Sequence, residues 1–203
     1  ADAPNPPDLA SGDELEAFVD GVLAAQLEAY HLAGATVAVV KGDEILLAKG
    51  YGYADTEAGV PVDAATTLFR IGSISKLFTW TSVMQLVEQG ALDLDADIQT
   101  YLDFEIPATF PEPITLKHLM THTAGFEELG FGLFAAGPQA MVSNESWLKE
   151  RVPDRVWEAG QVSAYSNYGS ALAGYILQRQ AEMPYEDYVY RYILAPLGME
   201  DST

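Results

Sequence analysis

The sequence predicts an α/β domain, with one apolar hairpin near the start and a mainly helical remainder. Gly34 to Val40 and Ile45 to Ala48 are apolar stretches on either side of a Gly42-Asp43 turn, the pattern of two antiparallel strands. From Tyr53 onward the strand signals fade and apolar residues recur at helical intervals. The chain of 203 residues is 49% hydrophobic and 20% charged, so it can bury a core and is not disordered by composition.

In chain order, a Pro-rich extension (residues 1–10) comes first. Ser11 and Glu14 have capping-box spacing, and Leu15, Phe18, Val19, Val22, Leu23 and Leu27 follow on one helical face. The first hairpin strand is apolar on both faces, which is how a strand inside a larger sheet reads. These elements make up the α/β region, residues 11–58. Residues 59–203 form the mainly helical region, after a last short strand signal at Thr67 to Arg70. Ile74 to Gln89 reads as a helix stopped by Gly90, Thr115 as the cap of a short helix through Met120, and Glu145 to Arg151 as another. Tyr168 to Glu182 and Tyr185 to Leu194 read as two more, separated by Pro184 and closed by Pro196. A lone two-stranded ribbon is marginal in water. Either the hairpin packs only on helices, or the sheet is incomplete and its further strands lie beyond Thr203 or in another chain.

Charge and composition exclude several functions. Lys and Arg number 10 against 30 Asp and Glu, a net charge of −20 that repels nucleic acid and anionic membrane surfaces. No cysteine is present, which removes disulfides, zinc thiolates and thiol catalysis. No apolar run approaches the roughly 20 residues of a membrane span. The start at Ala1 without an initiator Met leads us to expect an exported protein, secreted or periplasmic. His31, His118 and His122 show no metal-ligand pattern. Asp93, Asp95 and Asp97 resemble a calcium loop, but Ile98 stands where that loop needs Gly and Phe104 where it needs Glu. Neither a metal nor a cofactor is implied.

The sharpest chemical signal is Gly72-Ser73-Ile74-Ser75-Lys76. Spacing of i to i+3 puts Ser73 and Lys76 on one helical face, and a helix start offers free N–H groups where an oxyanion would develop. Ser73 reads either as a nucleophile or as an ordinary helix cap. It is expected at a buried junction of sheet and helix. Ser146 and Lys149 repeat the spacing inside a charged segment, which reads as a plain surface helix start. The second signal is Tyr165-Ser166-Asn167 before the next helix. Tyrosine beside a lysine can act as a general base and asparagine can bind an amide or ester, yet both also suit packing and capping.

Phe69 to Lys76, Leu92-Asp93-Leu94-Asp95, Leu119 to Phe126 with its His122-Thr123-Ala124-Gly125 turn, Tyr165 to Tyr168, and Ile193 to Met199 occur in one order. That order resembles the serine β-lactamase-like and penicillin-binding-protein-like family, closest to the branch of class C β-lactamases, D-alanyl-D-alanine carboxypeptidases and related esterases. The resemblance implies a β-lactamase-like fold, an antiparallel sheet flanked by helices plus a mainly helical subdomain. It implies acyl transfer, with Ser73 as nucleophile, Lys76 and Tyr165 sharing the proton, and Asn167 orienting the acyl side chain of a small ester, peptide or β-lactam substrate. His122 is implied to be structural.

Departures from the family pattern bear on activity. No Lys-Thr-Gly or related third motif follows Asn167, and that strand supplies one oxyanion donor in the family. Ala159 stands where Pro commonly precedes Gly160, and Ser163 where an aromatic residue is common. The resemblance thus implies an N-terminal part of a domain, completed by a C-terminal polypeptide. The alternatives to a serine hydrolase are a non-catalytic binding or regulatory protein with the same fold, or an inactive fragment that needs its complement.

Overall fold

The computed structural model describes residues 12–130 and 132–202, in two compact units that divide after Arg70. The Pro-rich extension and the Ser11 cap lie outside the described residues.

The first unit holds helix α1 (Gly12–Tyr30) and strands β1 (Gly34–Lys41), β2 (Glu44–Asp55) and β3 (Val60–Pro61), in the sheet order β1-β2-β3. β1 and β2 are antiparallel around Gly42, whose φ of 61° suits a tight hairpin turn. Alternation decides which face is covered. Leu47 is buried against Leu15 and Val19 of α1, with Val37, Val39 and Leu23 packed around them. Lys49 of β2 pairs with Glu16 at 2.6 Å and with Asp20 at 2.8 Å, and Tyr51 donates to Asp20. Val40 and Ile45 are exposed. Among the described residues the sheet has three strands.

The third strand was not anticipated, and the expected strand at Thr67 to Arg70 does not form. A turn closed by Asp63 ends at Thr67, the first residue of that segment. The Asp63 carboxylate accepts from the backbone of Ala65 and Thr66, and Thr67 N–H returns to the Asp63 carbonyl. Such a local turn competes directly with a ladder.

The second unit is built around one helix. Helices α2 (Lys76–Glu88), α3 (Leu116–Met120), α4 (Asn144–Glu150), α5 (Asn167–Ala181) and α6 (Tyr185–Val189) occur in that order. α2, α3, α4 and α6 all pack on α5. Tyr168, Leu172, Ala173, Ile176 and Leu177 of α5 are almost fully buried, and Tyr185 lies beside Gly174. A helix apolar on most sides belongs at the centre of a core. Thr115 and His118 form a reciprocal capping box on α3, and Ser166 caps α5 by accepting from Gly169 N–H. α6 ends earlier than expected, and a π-turn over Tyr190–Leu194 continues it. Ser146 and Lys149 face acids, Glu150 for one and Glu145 for the other, in keeping with a surface helix.

Asp103 ties α4 and α5 to its own loop. It accepts from Lys149 at 3.1 Å, Tyr175 at 2.9 Å and Arg179 at 3.1 Å. Partial burial pushes its carboxyl up, but these three donors outweigh it and the net shift is below the ordinary 3.8. A carboxyl lowered in the folded state contributes stability above its unfolded pKa and loses it as pH falls through the folded one. Asp103→Asn is therefore expected to cost roughly 1 kcal/mol at about pH 7, a figure limited by solvent screening. The difference should vanish at about pH 2, and urea unfolding at both pH values checks it.

Candidate active site

Gly72 opens the site. Its φ of 53° turns the chain sharply into a 3₁₀ turn (Gly72–Ser75) that runs straight into α2. Left-handed backbone of this kind favours glycine. The turn places Ser73 and Lys76 on one side, with Lys76 Nζ donating to Ser73 Oγ at 3.2 Å. Ser73 is not a helix cap, because neither the 3₁₀ turn nor α2 has a side-chain cap bond. It is also exposed, contrary to the expected buried junction.

The second half of the site is brought in by the His122 to Gly125 turn. His122 adopts a φ of 55° and Gly125 a φ of 82°. Gly125 carbonyl accepts from Val156 N–H at 2.9 Å, Thr123 carbonyl from Gly160 at 2.8 Å, and His122 carbonyl from Ala164 at 2.8 Å. His122 Nδ1 accepts from Ser166 N–H at 3.2 Å, and its ring lies 4.4 Å from that of Tyr165. The turn thus clamps residues 156–166 along their length. Burial, then the charge of Lys76, pushes the His122 imidazole down, so the neutral ring is the acceptor form. Both hydrogen bonds that His122 accepts here, through its carbonyl and Nδ1, come from backbone N–H groups of this segment.

Tyr165 and Asn167, at the end of the clamped loop, meet the Ser73–Lys76 pair. Tyr165 OH donates to Ser73 Oγ at 2.6 Å. Lys76 Nζ donates to Asn167 Oδ1 at 2.8 Å and sits 4.7 Å from the Tyr165 ring centre. All four residues singled out in the sequence therefore form one connected group. Beside it, a cleft of about 360 Å³ is lined by Lys76, Thr79, Asn167, Ser170, Gly174 and Tyr185.

Glu128 was not singled out by sequence. Its Oε2 accepts from Asn167 backbone N–H at 3.0 Å and its Oε1 from Asn167 Nδ2 at 2.8 Å. A glutamate 39 residues upstream carries no local pattern pointing to Asn167. Among the described residues, no group of three or more His, Cys, Asp or Glu could hold a metal.

The arrangement can move a proton. Desolvation pushes the Tyr165 phenol up, but hydrogen bonds from Lys76 and Ser73, and then the Lys76 charge, outweigh it and lower the pKa below the ordinary 10.0. With Tyr165 as phenolate, the same contact runs from Ser73 O–H to Tyr165 oxygen, the polarity of a nucleophile facing its base. Tyr165 is expected to titrate below 10.0, and Lys76→Met to raise its midpoint. Carbon NMR of ring-labelled tyrosine, assigned with Tyr165→Phe, reads this; an unmoved midpoint would contradict the role of Lys76.

Comparison with known proteins places these features. The family profile described as Beta-lactamase matches residues 19–203. The penicillin-binding protein PbpX of Bacillus subtilis is 31% identical over 81% of this chain and 39% of its own length. A β-lactamase of Providencia stuartii is 30% identical over 90% of this chain and 45% of its own length. The octameric penicillin-binding protein homologue from Pyrococcus abyssi superposes with a TM-score of 0.77 at 29% identity, over 91% of this chain and 43% of that one. The D-amino acid amidase from Ochrobactrum anthropi does so with a TM-score of 0.74 at 27% identity, over 90% of this chain and 49% of that one. The chain spans less than half the length of each of these proteins. Helices and a short antiparallel sheet arranged as in these neighbours make the fold β-lactamase-like, over part of its extent.

Proposed function

The chain belongs to the β-lactamase family, and on that premise we propose that it carries the nucleophile and base of a serine hydrolase acting on a small ester, amide or β-lactam. The observation that carries the reading is the connected group of Ser73, Lys76, Tyr165 and Asn167, with Ser73 Oγ 2.6 Å from a phenol whose pKa is lowered.

Ser73 Oγ attacks the substrate carbonyl and its proton passes to the Tyr165 oxygen, whose proton affinity the neighbouring Lys76 lowers. The new bond is Ser73 Oγ to the acyl carbon. Tyr165 then returns the proton to the departing alcohol or amine as the bond from carbon to that group breaks. Water repeats the sequence in reverse order and releases the acid, restoring Ser73. The start of the turn at Ser73 suits one oxyanion donor. We propose that the other comes from polypeptide matching the remaining length of the relatives, which also completes the sheet. The likeness to a D-amino acid amidase supports amide turnover as readily as β-lactam turnover.

Incubation with a fluorophosphonate, then intact mass and peptide mapping, tests the reading. Labelling at Ser73 supports it. An unlabelled chain that labels when the C-terminal polypeptide is supplied means the complement is needed. Absence of labelling in the intact protein overturns the hydrolase reading in favour of a binding role.

A further inference from the structure

Glu128 is an acid fixed in an unusual place. Phe126, two residues before it, is buried against Tyr168, and Leu129 packs on the same core. Both Asn167 hydrogen bonds then hold the carboxylate itself, one to each oxygen. Each carboxylate oxygen has two lone pairs, so one on each remains for another donor. Glu128 is exposed, and none of the ion pairs among the described residues involves it. The result is a preorganised negative charge without a cationic partner within ion-pair distance. It lies one residue away from the group that binds Ser73, since Asn167 bridges it to Lys76.

Holding this carboxylate in place contributes nothing to a substrate with an anionic acyl side chain, and like charge disfavours such a substrate. The geometry fits the opposite sign. We propose that Glu128 is a specificity-determining residue that binds a free primary ammonium on the acyl portion of the substrate, so that the preferred substrates are aminoacyl amides or esters. The inference rests on the serine hydrolase reading, and within it on Asn167 lying along the acyl side chain. An ammonium at Glu128 gains a charge-assisted hydrogen bond to a carboxylate that Asn167 already holds in position. The same nitrogen as an N-acetyl amide keeps one donor and loses the charge.

The test uses the intact protein and paired probes, alanine 4-nitroanilide of each enantiomer and its N-acetyl derivative. The readout is the ratio of kcat/KM for free amine over N-acetyl, which cancels any loss of active protein. For the better enantiomer the ratio is expected to be about tenfold or more at about pH 6. It should fall as pH rises through the amine pKa of about 8, because only the ammonium is recognised. In Glu128→Gln, the ratio should drop to about one at every pH. A merely structural Glu128 would lower both rates together and leave the ratio and its pH dependence intact, and that result overturns the proposal. So does a wild-type ratio of about one while a fluorophosphonate still labels Ser73, in which case the hydrolase reading stands alone. If Ser73 does not label, both fall together.

Discussion

Replacing Ser73 by alanine is expected to abolish fluorophosphonate labelling and to lower hydrolysis of an activated ester by about 10³-fold or more. The hydroxyl is the one group that both Lys76 and Tyr165 address, at 3.2 Å and 2.6 Å. Without it, the lowered phenol has no nucleophile to activate, and residual catalysis comes from binding and oxyanion contacts alone. The fold should not suffer. Ser73 is exposed and caps nothing, so urea unfolding of the variant should match the parent to within about 0.5 kcal/mol. Equal stability with lost reactivity is the combination that identifies a nucleophile. Labelling that persists at Ser75 or elsewhere in Ser73→Ala would sink the assignment.

The second large effect is structural. Gly125→Ala is expected to destabilise the second unit by more than about 3 kcal/mol, enough to unfold many domains of this size. Its backbone sits at a φ of 82°, and a Cβ there would stand 1.9 Å from the Trp157 carbonyl oxygen. Neither atom can yield, because that backbone belongs to the segment whose neighbouring N–H, Val156, bonds Gly125 in return. The damage reaches the site, since the displaced segment is the one that delivers Tyr165 to Ser73. Gly90→Ala is the control: its φ of 74° is equally left-handed, but open space surrounds it. It should cost only the backbone strain, about 1 kcal/mol. Urea unfolding of both variants measures the difference. If they cost the same, the close approach to Trp157 is not the constraint.

Much of this was legible in the chain itself, for local reasons. The hairpin follows from apolar stretches around Gly42, and α2 from a run rich in apolar residues that Gly90 stops. Ser73 and Lys76 are paired by nothing more than helical periodicity. Hydrophobicity at Leu68 and Phe69 suggests a strand, whereas the chain there is irregular and leaves a turn that Asp63 closes at Thr67. Motif order supplied Tyr165 and Asn167 as members of a family pattern, without saying how they would meet Ser73.

Sequence by itself determined the net charge of −20, the lack of cysteine in these 203 residues and the pairing of groups within one helical turn. Each of these depends on composition or on residues a few positions apart. Tertiary structure alone decided the contacts that span the unit: Tyr165 on Ser73 across 92 positions, Lys76 on Asn167 across 91, and Glu128 on Asn167 across 39. The physical reason is that these distances are set by burial, not by spacing. α2 and α5 pack through Val83, Leu172 and Ile176, and the Gly125 turn locks the loop before α5 by its backbone. Core packing and backbone hydrogen bonds at residues with no chemistry of their own thus place the residues that have it.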